Sequence, residues 1–172
     1  MPRYYIWLMP VGEIYALLAV TMAELSRKHA APLFEPHVTL LGDLPGSEQE
    51  IAVQTSHLAR QLKPYDILLT TPAYEDQYFR CLFLNVQKTP VVMEANARGK
   101  TTFNFNQPDD PPHRPHLSLL YGNYPISLKT QIIATLPSFQ GIHFPVTTLH
   151  IIRAESTDPK DWHKIRAFPL GE

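Results

Sequence analysis

Two short stretches of this chain carry the same pattern. Residues 35–42 read EPHVTLLG and residues 114–122 read RPHLSLLYG. In each, a proline precedes a histidine, an apolar residue separates that histidine from a hydroxyl residue, and two leucines follow. Side chains two apart on an extended chain leave by the same face. His37 and Thr39 therefore project together, as do His116 and Ser118, while Val38, Leu40, Leu117 and Leu119 turn to the opposite side. Two such strands facing each other would supply two imidazoles and two hydroxyls to one cleft.

A lone His-Val-Thr on a strand is most often structural. Packing has no use for matching hydroxyls at matching offsets, so the duplication favours catalysis. The set suits the opening of a cyclic phosphodiester. One neutral imidazole takes a proton from the attacking water, and one charged imidazole gives a proton to the departing sugar oxygen. An unperturbed imidazole pKa of about 6.5 serves both roles. The hydroxyls of Thr39 and Ser118 would hold the phosphoryl oxygens as charge builds on them. The residues leave base and acid unassigned; Tyr121, on the strand of His116, would favour His116 as the base if its hydroxyl helped to hold the water. No metal or other cofactor is expected. His113 and His116 have H-x-x-H spacing, but Pro115 between them opposes the helix that such ligand spacing needs.

The elements that must position these groups follow from hydrophobic periodicity. Residues 3–9 read as a buried strand and residues 13–29 as a helix. The strand HVTLLG comes next, then a helix over 47–62 with Ser47 and Glu50 as a capping box. Strands at 65–75 and 78–87 read as a hairpin closed by a short Asp-Gln link. A third helix spans 90–102 with Pro90 in its first turn. The proline-rich NQPDDPPHRP (106–115) reads as one ordered loop leading into HLSLLYG. A helix at 127–136 capped by Ser127 and strands at 142–155 and 162–170 complete the chain. The order is mixed α+β, with helices on sheets built from sequence-distant strands. Each histidine strand follows a helix and a proline, which suggests two related halves.

Length and charge narrow the partners. The chain has 172 residues, enough for one domain spanning 1–172, with 44% hydrophobic and 18% charged residues and a net charge of −1. Without a basic run, a small ligand or the end of a nucleic acid fits better than a duplex. A single cysteine, Cys81, forbids an internal disulfide and suits a reducing cytoplasm. The apolar start is broken by Pro10, Gly12 and Glu13, so neither a secretion signal nor a membrane span is expected. A monomer is the expected state.

At its two histidine motifs the sequence resembles the 2H phosphoesterases, and within them the small cyclic phosphodiesterases of the plant and yeast type. The segments YYIWLMP, QLKPY, FRCLFL, TPVVMEA and DWHKI extend the resemblance over almost the whole length. It implies a bilobal α+β fold with pseudo-two-fold symmetry, antiparallel sheet lobes, helices outside and a central cleft. It also implies action on nucleoside 2′,3′-cyclic phosphates and on ADP-ribose 1″,2″-cyclic phosphate. His37 and His116 would be the acid–base pair, Thr39 and Ser118 the phosphate ligands. Tyr121 would also contact the phosphate, although strict alternation from Ser118 turns it to the far face and leaves core packing open. Trp162 falls near a tryptophan that lies against the nucleotide in relatives, with an ordinary core role as the alternative. Trp7 reads as core, and His113 and Arg114 as solvated. RNA bearing a 2′,3′-cyclic end and a non-catalytic module for nucleotide or RNA ends are the competing readings. A phosphotransferase would need a donor site, and the sequence has no P-loop.

Overall fold

In Arg3–Leu8 (β1), Tyr4, Ile6 and Leu8 alternate with Arg3, Tyr5 and Trp7, and the first set enters the core. The computed structural model describes residues 1–105 and 109–171. After β1 the chain forms Gly12–His29 (α1), Val38–Leu44 (β2), Glu48–Gln61 (α2) and Tyr65–Tyr74 (β3). Then come Leu82–Val86 (β4), Pro90–Thr102 (α3), His116–Leu120 (β5) and Ile126–Thr135 (α4). Strands His143–Val146 (β6), Thr148–Ala154 (β7) and Trp162–Pro169 (β8) finish it. The expected capping box forms: Ser47 Oγ accepts from the Glu50 amide while the Glu50 carboxylate accepts from the Ser47 amide. Pro90 opens α3 behind Thr89, whose hydroxyl accepts from the Val92 amide.

Three elements differ from expectation. Helix α4 begins at Ile126 behind Pro125, whose carbonyl takes the first helical amides, so Ser127 lies inside the first turn and does not cap. The hairpin link is longer than Asp-Gln: a 3-10 turn at Tyr78–Arg80, closed by the Arg80 amide on the Gln77 carbonyl, delays β4 to Leu82. The run 142–155 breaks at Thr147, because β6 pairs with β3 and β7 pairs with β1. Of the proline-rich stretch, residues 106–108 lie outside the described residues.

All eight strands join one antiparallel sheet in the order β6-β3-β4-β5-β2-β1-β7-β8. Its two four-strand halves are the lobes, and they meet where Val38 on β2 pairs with Leu117 on β5. The motif strands are thus central neighbours, with a pseudo-two-fold axis between them. Continuing the register one residue each way sets His37 beside Ser118 and Thr39 beside His116. The lobes are not successive halves of the chain. One lobe comprises β3 to β6; the other takes β1 and β2 from the start and β7 and β8 from the end.

Both motif strands bulge at the same place. Ile6 and Trp7 face Leu41 and Thr39, leaving Leu40 as an extra residue; Leu82 and Phe83 face Leu120 and Ser118, leaving Leu119 extra. The paired leucines of the motif follow from this, since a bulge lets two consecutive side chains enter the core. All four, Leu40, Leu41, Leu119 and Leu120, are buried. A bulge also costs ladder bonds, and Asn96 of α3 supplies one: its Nδ2 donates to the Leu40 carbonyl at 2.8 Å from a buried position. Asn96→Leu keeps the volume and deletes the donor. It is expected to lower stability to urea unfolding by about 1–3 kcal/mol, the cost of a buried acceptor left unpaired.

Candidate functional site

His37, just before β2, and His116, the first residue of β5, are held alike. His37 Nδ1 lies 2.8 Å from the Glu35 carbonyl, and His116 Nδ1 lies 2.9 Å from the Arg114 carbonyl. A carbonyl only accepts, so each Nδ1 carries the hydrogen. This leaves each Nε2 to face the cleft, with a lone pair when the ring is neutral and a proton when it is charged. The proline in each motif separates the histidine from the residue that owns its carbonyl clamp.

Their surroundings differ. The His37 ring stacks on Trp7 with centroids 3.5 Å apart and planes 6° from parallel, and Phe34 meets it edge-on. Burial pushes its pKa down to about 4, aided by the charge of His116 and opposed by the Glu35 carbonyl bond and carboxylate. His116 is only half-buried, with the edge of Phe83 against it at 5.2 Å. Its pKa also falls, first through burial and then through Arg80 and Arg114, while the Arg114 carbonyl and Glu75 pull it upward.

The two histidines, Thr39, Ser118, Tyr121 and Trp162 all line one cleft of about 580 Å³. Ser118 Oγ donates to the Phe79 carbonyl at 3.3 Å, a long bond that an incoming oxygen can displace. Tyr121 reaches the cleft because the Leu119 bulge shifts the alternation by one, returning it to the face of Ser118. Burial raises the pKa of its hydroxyl, and its ring stacks on Phe34 at 3.8 Å. The corresponding place after the first motif is Gly42, where Tyr5 fills the space: a Cβ there would lie 3.2 Å from the Tyr5 ring. Trp162 donates its indole hydrogen to the Ser156 carbonyl and stands edge-on to both Trp7 and Tyr121.

Trp7, Tyr5 and Arg80 also line the cleft. Trp7 is buried as expected, yet its position opposite Thr39 puts it on the imidazole face. Only that cross-strand register could have revealed it. Phe79 joins the rim through the 3-10 turn. Arg114 is not simply solvated, since it pairs with Glu75; His113 is half-buried, and burial lowers its pKa to about 4. Among the described residues no three His, Cys, Asp or Glu side chains gather as a metal site, and no helix is long and apolar enough to cross a membrane.

The chain is similar to known proteins in sequence and in fold. A family model described as the 2'-5' RNA ligase superfamily matches residues 14–158. The Cyclic phosphodiesterase of Arabidopsis thaliana is 29% identical, covering 98% of this chain and 95% of that protein. Among solved structures, TT0787 of Thermus thermophilus superposes with a TM-score of 0.68 at 17% identity, covering 98% of each chain. E. coli LigT complexed with 3'-AMP superposes with a TM-score of 0.66 at 14% identity, covering 99% of each. Paired histidine strands about a pseudo-two-fold axis, a match over most of the length and a shared architecture agree: the chain belongs to the 2'-5' RNA ligase superfamily, the 2H phosphoesterases.

Proposed function

We propose that this 2H phosphoesterase opens a five-membered cyclic phosphate on a small nucleotide without a metal. Nucleoside 2′,3′-cyclic phosphates would become 2′-phosphates, and ADP-ribose 1″,2″-cyclic phosphate would become ADP-ribose 1″-phosphate. The observation that carries this reading is the pair of imidazoles, each clamped at Nδ1, in one cleft with two hydroxyls. Water attacks phosphorus and gives its proton to one Nε2. The bond to the leaving sugar oxygen breaks, and that oxygen takes a proton from the other Nε2. Thr39, Ser118 and Tyr121 hold the non-bridging oxygens, and Trp162 with Phe79 offers faces to the base.

His37 is the better base, because burial against Trp7 keeps it neutral to about pH 4. This reverses the assignment that the position of Tyr121 favoured. His116, more accessible and with the negative charge of Glu75 favouring its protonated form, is the acid. The nucleotide class draws support from the Arabidopsis relative's name and from LigT, whose structures hold 3'-AMP, NADP+ and ATP. The cleft arginines Arg3 and Arg80 each have a carboxylate partner, Asp43 and Glu75, so they form no basic track for a longer RNA. Incubation with each cyclic phosphate in EDTA, with product analysis, tests the reading. The 2′-phosphate and the 1″-phosphate are expected; a 3′-phosphate product or abolition by EDTA would refute it.

His37→Ala and His116→Ala should each reduce turnover at least about a hundredfold, with the double variant little worse than either. Thr39→Val or Ser118→Ala should lower kcat more than it raises KM, by roughly 2–4 kcal/mol for the better-placed hydroxyl. The pH profile has a definite sign. Activity rises as His37 loses its proton near pH 4 and falls as His116 loses its own below its ordinary value. kcat/KM, which reports the free enzyme, should therefore peak on the acid side of about pH 6.5. A bound phosphate anion favours the imidazolium, so the falling limb of kcat should lie at higher pH than that of kcat/KM. A plateau persisting above pH 8 would contradict the scheme.

A further inference from the structure

In both lobes the residue whose carbonyl clamps a histidine is itself tethered through its side chain to a distant strand. Glu35 accepts from Tyr15 Oη at 2.7 Å and from Lys164 Nζ, on β8, at 3.1 Å. Arg114 pairs with Glu75, the residue that follows β3. The second tether runs deeper. The Glu75 carbonyl accepts from Lys129 Nζ at 2.7 Å, and Lys129, on α4, is 1% exposed. The Glu75 amide donates to the Arg80 and Cys81 carbonyls. A buried ammonium is costly unless well partnered, so Lys129 resists any displacement of the Glu75 backbone. The Glu75 carboxylate then stands between Arg114 and Arg80, the latter at 3.8 Å.

We propose that Glu75 is a positioning residue for His116, acting through Arg114. It keeps the Arg114 backbone in place so that its carbonyl stays on the His116 Nδ1 hydrogen, and it supplies negative charge to a ring surrounded by cations. The inference rests on the reading of His116 as proton donor. The groups around that ring are Arg80 from the 3-10 turn, His113 and Arg114 from its own loop, and His37 across the cleft, with apolar Phe83 from β4. Lys88 and Lys100 add positive charge around His113. Glu75 is the carboxylate among them.

Glu75→Gln preserves shape and removes the charge; Glu75→Asp keeps the charge on a shorter arm. NMR titration of His116 without substrate reads the tether independently of turnover. In Glu75→Gln the His116 pKa should fall by about half a unit or more. kcat should drop about tenfold or more with KM little changed, as expected of a misaligned acid. The falling limb of kcat/KM should move to lower pH by the same amount. Glu75→Asp should restore most of the titration and turnover. Arg114→Met in the Glu75→Gln background should cost little more, because the pair acts as one unit. An unmoved His116 titration in a folded Glu75→Gln protein overturns the proposal. A titration that moves while kcat and the limb do not would uphold the tether and refute His116 as the donor.

Discussion

Everything at this site hangs on how two strands meet at the middle of the sheet. Val38 and Leu117 pair in antiparallel register, so the two motif strands run past each other in opposite directions. Residues on either side of that pair turn to one face, which places two imidazoles and two hydroxyls at the junction of the lobes. The bulges at Leu40 and Leu119 then let each strand bury two leucines in succession. The strands are anchored below the cleft by apolar packing while their polar side chains remain above it.

Symmetry of backbone is combined with asymmetry of environment. Both imidazoles have the same clamp at the same spacing, which leaves Nε2 as the uncommitted nitrogen in each. One ring lies flat on an indole among apolar neighbours; the other is ringed by two arginines, a carboxylate and a second half-buried histidine. Two identical histidines in identical surroundings would titrate alike and compete for one role. In the proposed mechanism, the unlike settings are what would let a shared scaffold hold a base and an acid together.

Much of the fold was legible because local chemistry and tertiary structure agree. Ser47 with Glu50, and Pro90 in a first turn, marked helix starts that the structure keeps, and the period-two pattern of the motifs sent His37, Thr39, His116 and Ser118 to one cleft. The six residues read as candidates all line it. What stayed hidden depended on partners distant in sequence. Alternation alone turned Tyr121 to the far face, because it ignores a bulge that exists only once β4 sets the register; only the resemblance kept Tyr121 among the candidates. Trp7 looked like core because its partner Thr39 lies on another strand, and Arg114 looked solvated because Glu75 comes from a distant part of the chain. The break at Thr147 was invisible because each side of it pairs with a different lobe.

That crossing at Thr147 determines the order in which the molecule becomes complete as it leaves the ribosome. Strands β3 to β6 are contiguous, so one lobe has all its strands by Val146. The other lobe waits: β1 and β2 emerge first, but β7, which pairs with β1, and β8, which brings Trp162, emerge after β6. Closing so long a separation costs chain entropy and slows folding. Until then the outer edge of β1 remains unpaired, a template for pairing with another chain. The cleft therefore becomes whole only after β8 has emerged, and the nascent chain is most open to misassociation along β1 until β7 arrives.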